Sequence, residues 1–303
     1  MGSDVRALVL GAGGQLGVDV VAALETFAEV DARDRRAVDL ADVDSVTRAF
    51  DSARYDVVVN AGAHTDVDGA ERDSTLAFKV NRDAVAQLGA LCRDRRIALV
   101  HVSTDFVFDG ALGRAYRPED APNPLGVYGQ SKLEGEQALA AIDAPAIVLR
   151  TAWVWSLRRK SFVTTMLRLF REREEVKVVD DQVGNPTLAR DLATAIATML
   201  ARAGRSGEDV HGWAREHRGV HHLAGEGEVS RFDFARAIAG LDPRRAEHAV
   251  KRITPISSGE MSLPAKRPTF APLDCTETFA RLGVKLPAWR GALERALADR
   301  ATW

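Results

Sequence analysis

Val5-Arg-Ala-Leu-Val-Leu-Gly11-Ala-Gly-Gly14-Gln15-Leu16-Gly17 is the stretch on which the reading of this chain turns. The apolar run Val5 to Leu10 predicts a buried strand, and Leu16 to Leu24 carries the amphipathic period of a helix, with glycines every third residue between the two. Gly11 permits a tight turn, Gly14 lets backbone approach a ligand closely, and Gly17 lets the helix pack against the sheet. The free N–H groups and partial positive charge of the helix N-terminus, with Gln15 and Leu16 in its first turn, then face an anion. In this context the glycines read as the pyrophosphate-binding turn of a dinucleotide fold.

Outward from that turn, further apolar runs at Val57 to Ala61, Ala98 to Ser103 and Ala146 to Thr151 alternate with helical segments such as Thr75 to Arg93. This predicts an α/β chain with a doubly wound, Rossmann-like parallel sheet. After Thr151 the regularity breaks. A helix over Ser161 to Glu172, a strand at Val176 to Val179, a Gly-Asn-Pro loop and a helix from about Leu188 to Ala203 follow, then a charged, glycine-rich stretch from Gly204 to Gly219 that reads as a surface excursion. The dinucleotide-binding domain is expected over 1–151, with 176–224 returning to it. A smaller C-terminal substrate-binding domain is expected over 152–175 and 225–303.

Composition narrows the function. The 303 residues are 46% hydrophobic and 28% charged, with Lys+Arg 41 against Asp+Glu 43 and a net charge of -2. That size supports a substantial core, and the near-neutral balance provides no field for a nucleic acid. Cys92 and Cys275 lie too far apart to suggest a disulfide framework, the N-terminus shows no signal-peptide layout, and no later stretch is long enough to span a membrane. A cytoplasmic protein with no nucleic-acid or membrane partner is expected. No residue is assigned to a metal, and a homodimer is left open.

The cofactor signals conflict near the second strand, which is expected to end at Val30-Asp31. Asp31 suits the ribose hydroxyls of NAD(H), whereas Arg33, Arg35 and Arg36 suit the 2′-phosphate of NADP(H). Both cofactors stay open. Asp39 and Leu40 come next, and Ala61, Ala63, His64 and Thr65 end the strand beneath the dinucleotide, where small residues leave room; His64 reads equally as a polar loop residue.

Tyr128-Gly-Gln-Ser-Lys132 places a phenol and an ammonium one helical turn apart. A phenol is a poor proton shuttle at neutral pH, and a neighbouring ammonium favours its phenolate. Tyr128 thus reads as acid or base, Lys132 as its modifier and Thr104, at the end of the strand Ala98 to Ser103, as an orienting hydroxyl. The sequences Ser103-Thr-Asp-Phe-Val-Phe-Asp-Gly110, Tyr128-Gly-Gln-Ser-Lys-Leu-Glu-Gly-Glu136, Arg150-Thr-Ala-Trp-Val154 and Asp181-Gln-Val-Gly-Asn-Pro-Thr187 together resemble the dTDP-4-dehydrorhamnose reductase family of extended short-chain dehydrogenases, in register from about Leu8 to Met199.

The resemblance implies reduction of the C4 ketone of a nucleotide-linked 4-keto-6-deoxyhexose, dTDP-4-dehydrorhamnose to dTDP-L-rhamnose. It implies that Tyr128 donates the proton, that Lys132 also holds the nicotinamide ribose, that Asp39 and Leu40 bracket the adenine, that Thr104 and Asp105 contact the sugar, and that Trp153 lies beside it; on physical grounds Trp153 reads equally as packing. Two alternatives use the same frame: a nucleotide-sugar epimerase or dehydratase, and a non-catalytic NADP-binding regulatory subunit. The C-terminal part departs from the family pattern. Arg267-Pro268 and Leu273-Asp274 remain, while Phe270 and Ala271 replace a polar Asn-Ser pair.

Overall fold

The computed structural model describes residues 5–203 and 209–299. Strands β1 (Arg6–Leu10), β2 (Glu29–Arg33), β3 (Val57–Asn60), β4 (Ala98–Thr104) and β5 (Ala146–Thr151) alternate with α1 (Gln15–Leu24), α2 (Val43–Asp51), α3 (Val67–Arg72), α4 (Ser74–Phe78), α5 (Ala84–Arg95) and α6 (Val127–Ala141). The large sheet is wholly parallel and runs β10-β5-β4-β3-β1-β2, where β10 is Gly219–His222. Its order reverses between β1 and β3, so a crevice opens at their carboxyl ends, where doubly wound sheets take ligands.

Burial on both faces explains the unbroken apolar strands. On one face Leu16, Val20 and Leu24 of α1 pack with Leu192, Ile196 and Leu200 of α8 (Ala189–Ala203). On the other, Phe50, Leu88 and Leu139 from α2, α5 and α6 cover Leu8, Val58 and Leu99. A third apolar cluster joins Trp155 of β6 (Val154–Trp155), Phe170 of α7 (Phe162–Glu172), Val176 of β7 (Glu175–Val179), Phe234 of α10 (Arg231–Leu241) and Leu293 of α12 (Trp289–Ala298). Short pairs β8 (Val183–Gly184) with β11 (Val229–Ser230), and β6 with β9 (Thr187–Leu188), tie this cluster to the sheet's carboxyl edge. No helix among the described residues is long and apolar enough to cross a membrane.

Several sequence expectations are corrected. β2 continues past Asp31 to Arg33, because pairing with β1 extends to Leu10. The segment Thr75 to Arg93 is not one regular helix: a π-turn at Lys79–Asp83 separates α4 from α5 and leaves Asn81 fully buried. The strand Val176 to Val179 does not rejoin the large sheet but pairs in parallel with β12 (Arg252–Ile256). Of the expected surface excursion, 204–208 lie outside the described residues, while α9 (Val210–Glu216) buries Val210 and Trp213 in the main core. Leu282 at the end of α11 (Thr276–Leu282), with Val284 and Leu286, also packs there rather than on the third cluster, because it reaches the Trp213 side of the sheet.

Candidate active site

At the reversal point Gly11 adopts φ +76, and a Cβ on it would stand 2.6 Å from the Gly62 backbone. The turn and the loop after β3 therefore touch through backbone alone, a contact only glycine allows. Gly14 caps α1, whose first turn carries no acidic residue to compete with an anion, and Gly17 lies against Gly11 O. Leu16 is buried in the core, whereas Gln15 and His64 are partly exposed residues whose Oε1 and Nδ1 atoms are buried without a hydrogen-bond partner. Orphaned polar atoms beside an uncontested helix N-terminus fit a bound dinucleotide.

The conflict at Asp31 resolves into one cluster. Arg33 Nε and Nη2 donate to Asp31 Oδ1 and Oδ2 at 2.6 and 2.9 Å, and Tyr55 Oη donates to Oδ2 at 2.5 Å. These donors hold the Asp31 carboxyl below its ordinary range against the opposing effect of burial. Asp31 is thus charge-neutralised and its acceptors are in use; Arg35 and Arg36 stand exposed. Asp39 Oδ1 accepts from Ala41 N at 3.0 Å, Leu40 lies over Gly62, Ala61 and Ala63 are partly buried, and Thr65 is exposed.

Asn81, placed by the π-turn, clamps the loop after β3 to the helix of Tyr128. Its Oδ1 accepts from His64 N at 2.9 Å, and its Nδ2 donates to His64 O and Ser131 Oγ at 3.0 Å each. Lys132, 1% exposed, donates to Val102 O at 2.7 Å and lies 3.2 Å from His101 Nε2. Burial pushes its ammonium down to about 8.

Tyr128 faces a cleft lined by Val67, Phe106, Leu125, Ala265 and Pro268. Burial pushes its phenol up to about 12; a hydrogen bond from Thr104 opposes this and the charge of Asp105 adds to it. The expected dominance of Lys132 over this phenol is therefore not what sets it here. Burial wins, and Tyr128 stays protonated at neutral pH, the form that can donate. Thr104 Oγ1 also contacts Asp105 Oδ1 at 3.1 Å, and burial pushes Asp105 up to about 6.

At the other rim, Trp153 adopts φ 44, rare for a bulky side chain. Its indole sits against Gly184, where a Cβ would come within 2.7 Å of the ring, and Arg231 Cζ stacks 3.5 Å from the ring centroid. Arg231 is opposed by burial and supported by the charge of Asp105. The reading of Trp153 as a bare sugar platform is thereby revised: its ring already carries a guanidinium, which has no ion-pair partner within 4.0 Å among the described residues. Arg231 escaped the sequence reading because nothing marks one arginine at the start of a distant helix. Asn185 of the Gly-Asn-Pro loop stitches the rim, accepting from Leu273 N at 2.7 Å and donating to Gly227 O at 3.0 Å. The departing segment is held by backbone, with Ala271 N donating to Val183 O at 3.1 Å, so apolar residues at 270 and 271 are accommodated without a polar pair.

The model of the family described as RmlD substrate binding domain matches residues 5–302. A dTDP-4-dehydrorhamnose reductase of Burkholderia thailandensis is 40% identical over 298 residues, 97% of this chain and 99% of that protein. A crystal structure of dTDP-4-dehydrorhamnose reductase from Bacillus anthracis in complex with NADP superposes with a TM-score of 0.87 at 28% identity, covering 99% of this chain and 100% of that one. A second, from Clostridium acetobutylicum, gives 0.86 at 31% identity over 97% of this chain and 99% of that one.

Proposed function

We propose a reaction and a set of residue roles from the premise that this chain belongs to the RmlD substrate binding domain family, alongside the dTDP-4-dehydrorhamnose reductases it matches over nearly its full length. The chain is an NAD(P)H-dependent oxidoreductase that reduces dTDP-4-dehydrorhamnose at its C4 ketone to give dTDP-L-rhamnose. The observation that supports the residue roles best is Tyr128 on α6, one helical turn from Lys132, hydrogen-bonded by Thr104 at the carboxyl end of β4.

When bound, the reduced dinucleotide supplies the hydride. Gly11, Gly14 and Gly17 with the α1 N-terminus would hold its pyrophosphate, and Lys132 would hold its ribose. Tyr128 donates a proton to the ketone oxygen, offsetting the alkoxide charge that would otherwise develop, while Thr104 orients both groups. Arg231, stacked on Trp153 and facing Asp105, anchors the anionic substrate from the body that contains Trp155 and Phe234, which we take to be the substrate-binding part. Two free thiols, Cys92 and Cys275, support a cytoplasmic setting. Consumption of NADPH and NADH with dTDP-4-keto-6-deoxy sugars tests the activity; no turnover on any of them would favour a binding subunit.

NADPH should be preferred, because Asp31 no longer presents a free charge against a 2′-phosphate. Tyr55→Phe removes one donor from that carboxylate. The ratio of kcat/KM for NADPH over NADH should then fall by about tenfold, the scale of one charge-assisted hydrogen bond. An unchanged ratio would show that Asp31 does not meet the ribose.

Trp153→Ala removes the nearer of the two rings under Arg231 and leaves only Phe162, whose centroid lies 4.9 Å from Cζ. KM for the keto sugar should rise by about tenfold, from the ~1–2 kcal/mol of a partly desolvated cation–π contact, with NADPH binding unaffected. A large loss of melting temperature with unaltered sugar kinetics would assign Trp153 to packing instead.

A further inference from the structure

Lys132 has a neighbour that the reaction described above does not use. His101, in the middle of β4, is fully buried and lies between Asn60 on β3 and Lys132 on α6. Asn60 Nδ2 stands 3.1 Å from His101 Nδ1, and Lys132 Nζ stands 3.2 Å from His101 Nε2.

The donors in this row can be counted from one end. Gly62 N–H can only donate, and it donates to Asn60 Oδ1 at 3.1 Å. The other end of the amide, Nδ2, must therefore be the group that faces His101, and it too can only donate. His101 Nδ1 is then an acceptor and carries no proton. In a neutral imidazole the proton must sit on Nε2, pointing at Lys132. Full burial pushes His101 well below its ordinary range, so the ring is neutral whichever form Lys132 takes. An Nε2–H facing an ammonium is a contact between two donors, whereas an Nε2–H facing an amine is a hydrogen bond.

We propose that His101 is a positioning residue which, with its tautomer held by Asn60, presents an N–H to Lys132 and makes the uncharged amine the better-fitting form of that side chain in the resting site. The anchor of this row is the loop after β3 that touches the Gly11 turn, so the protonation of Lys132 is tied to the geometry of the cofactor turn. The other charged groups around Lys132 act differently. Glu136, one turn along α6, favours the ammonium but is engaged by Arg150 of β5; Tyr128 is a neutral phenol, and Asp105 at the end of β4 faces Thr104 and Arg231.

The role of Lys132 toward the cofactor ribose rests on the proposed function, but the tautomer does not, and it can be read without turnover. Two-bond proton–nitrogen correlation spectra of the full chain with nitrogen-labelled imidazoles should show His101 with its proton on Nε2. Asn60→Asp keeps the acceptor for Gly62 and replaces the facing donor by an acceptor, so His101 should switch to the Nδ1–H form. Nε2 would then accept from the ammonium. The pH above which NADPH binding weakens should move upward by roughly one unit relative to the unsubstituted protein. A proton found on Nδ1 in the unsubstituted protein overturns the proposal. So does a variant whose His101 changes tautomer while the inflection stays in place.

Discussion

Tyr128→Phe should lower kcat by roughly two to four orders of magnitude, the contribution expected of a positioned general acid. Phenylalanine preserves the ring and its edge-on contact with Phe106, whose centroid lies 5.4 Å away, so the cleft keeps its shape. Thr104 and Lys132 keep their backbone partners, and the affinities for NADPH and for dTDP should stay near those of the unsubstituted protein. What disappears is the only phenolic proton facing the cleft among the described residues. Because burial holds that phenol up to about 12, its ionisation should not limit reduction anywhere in the neutral range. Stopped-flow measurement of hydride transfer at saturating substrate separates this from product release. A variant turning over within a few-fold of the parent would remove Tyr128 from the proton-transfer step.

Arg150→Met should cost about 3–5 kcal/mol of stability, the loss expected when one member of a buried ion pair is removed and the other left charged. Arg150 and Glu136 are 4% and 3% exposed, joined at 2.7 Å between Nη2 and Oε2 with Nε 3.1 Å from both oxygens. Ser103 donates to the same carboxylate, and the guanidinium lies 5.0 Å above the Phe108 ring. The pair thus braces β5, which leads directly into Trp153, against α6, which carries Tyr128 and Lys132, and the end of β4, which carries Thr104. A fall in melting temperature of about 5–8 °C is expected. The double variant with Glu136→Gln should recover part of it, since the stranded charge is then gone. A loss below ~1 kcal/mol for the single variant would mean that water reaches Glu136 and the brace is dispensable.

Strands β1, β3, β4 and β5, the glycine turn and the Tyr128–Lys132 spacing were all legible in the chain, because each depends on neighbours within one strand or one helical turn. An apolar run buried on both faces, a glycine forced to positive φ and two side chains four residues apart on a helix are local consequences of backbone geometry. The short strand β10 was missed, since Gly219–His222 carries two histidines in a charged surrounding and becomes a strand only by pairing with β5. β7 was read correctly as a strand but joined to the wrong partner, because a hydrophobic pattern carries no address.

The family and its reaction thus followed from local motifs arranged in order along the chain. Tertiary structure decided the charges in the site. Whether Asp31 opposes a phosphate depends on Tyr55, 24 residues away, and whether Lys132 is an ammonium depends on His101 and Asn60 from two other strands. Trp153 acquires its partner Arg231 only when the start of α10 folds onto the rim. Protonation and ion pairing depend on distance, desolvation and the count of donors and acceptors around each group, and those quantities exist only once distant segments are packed together.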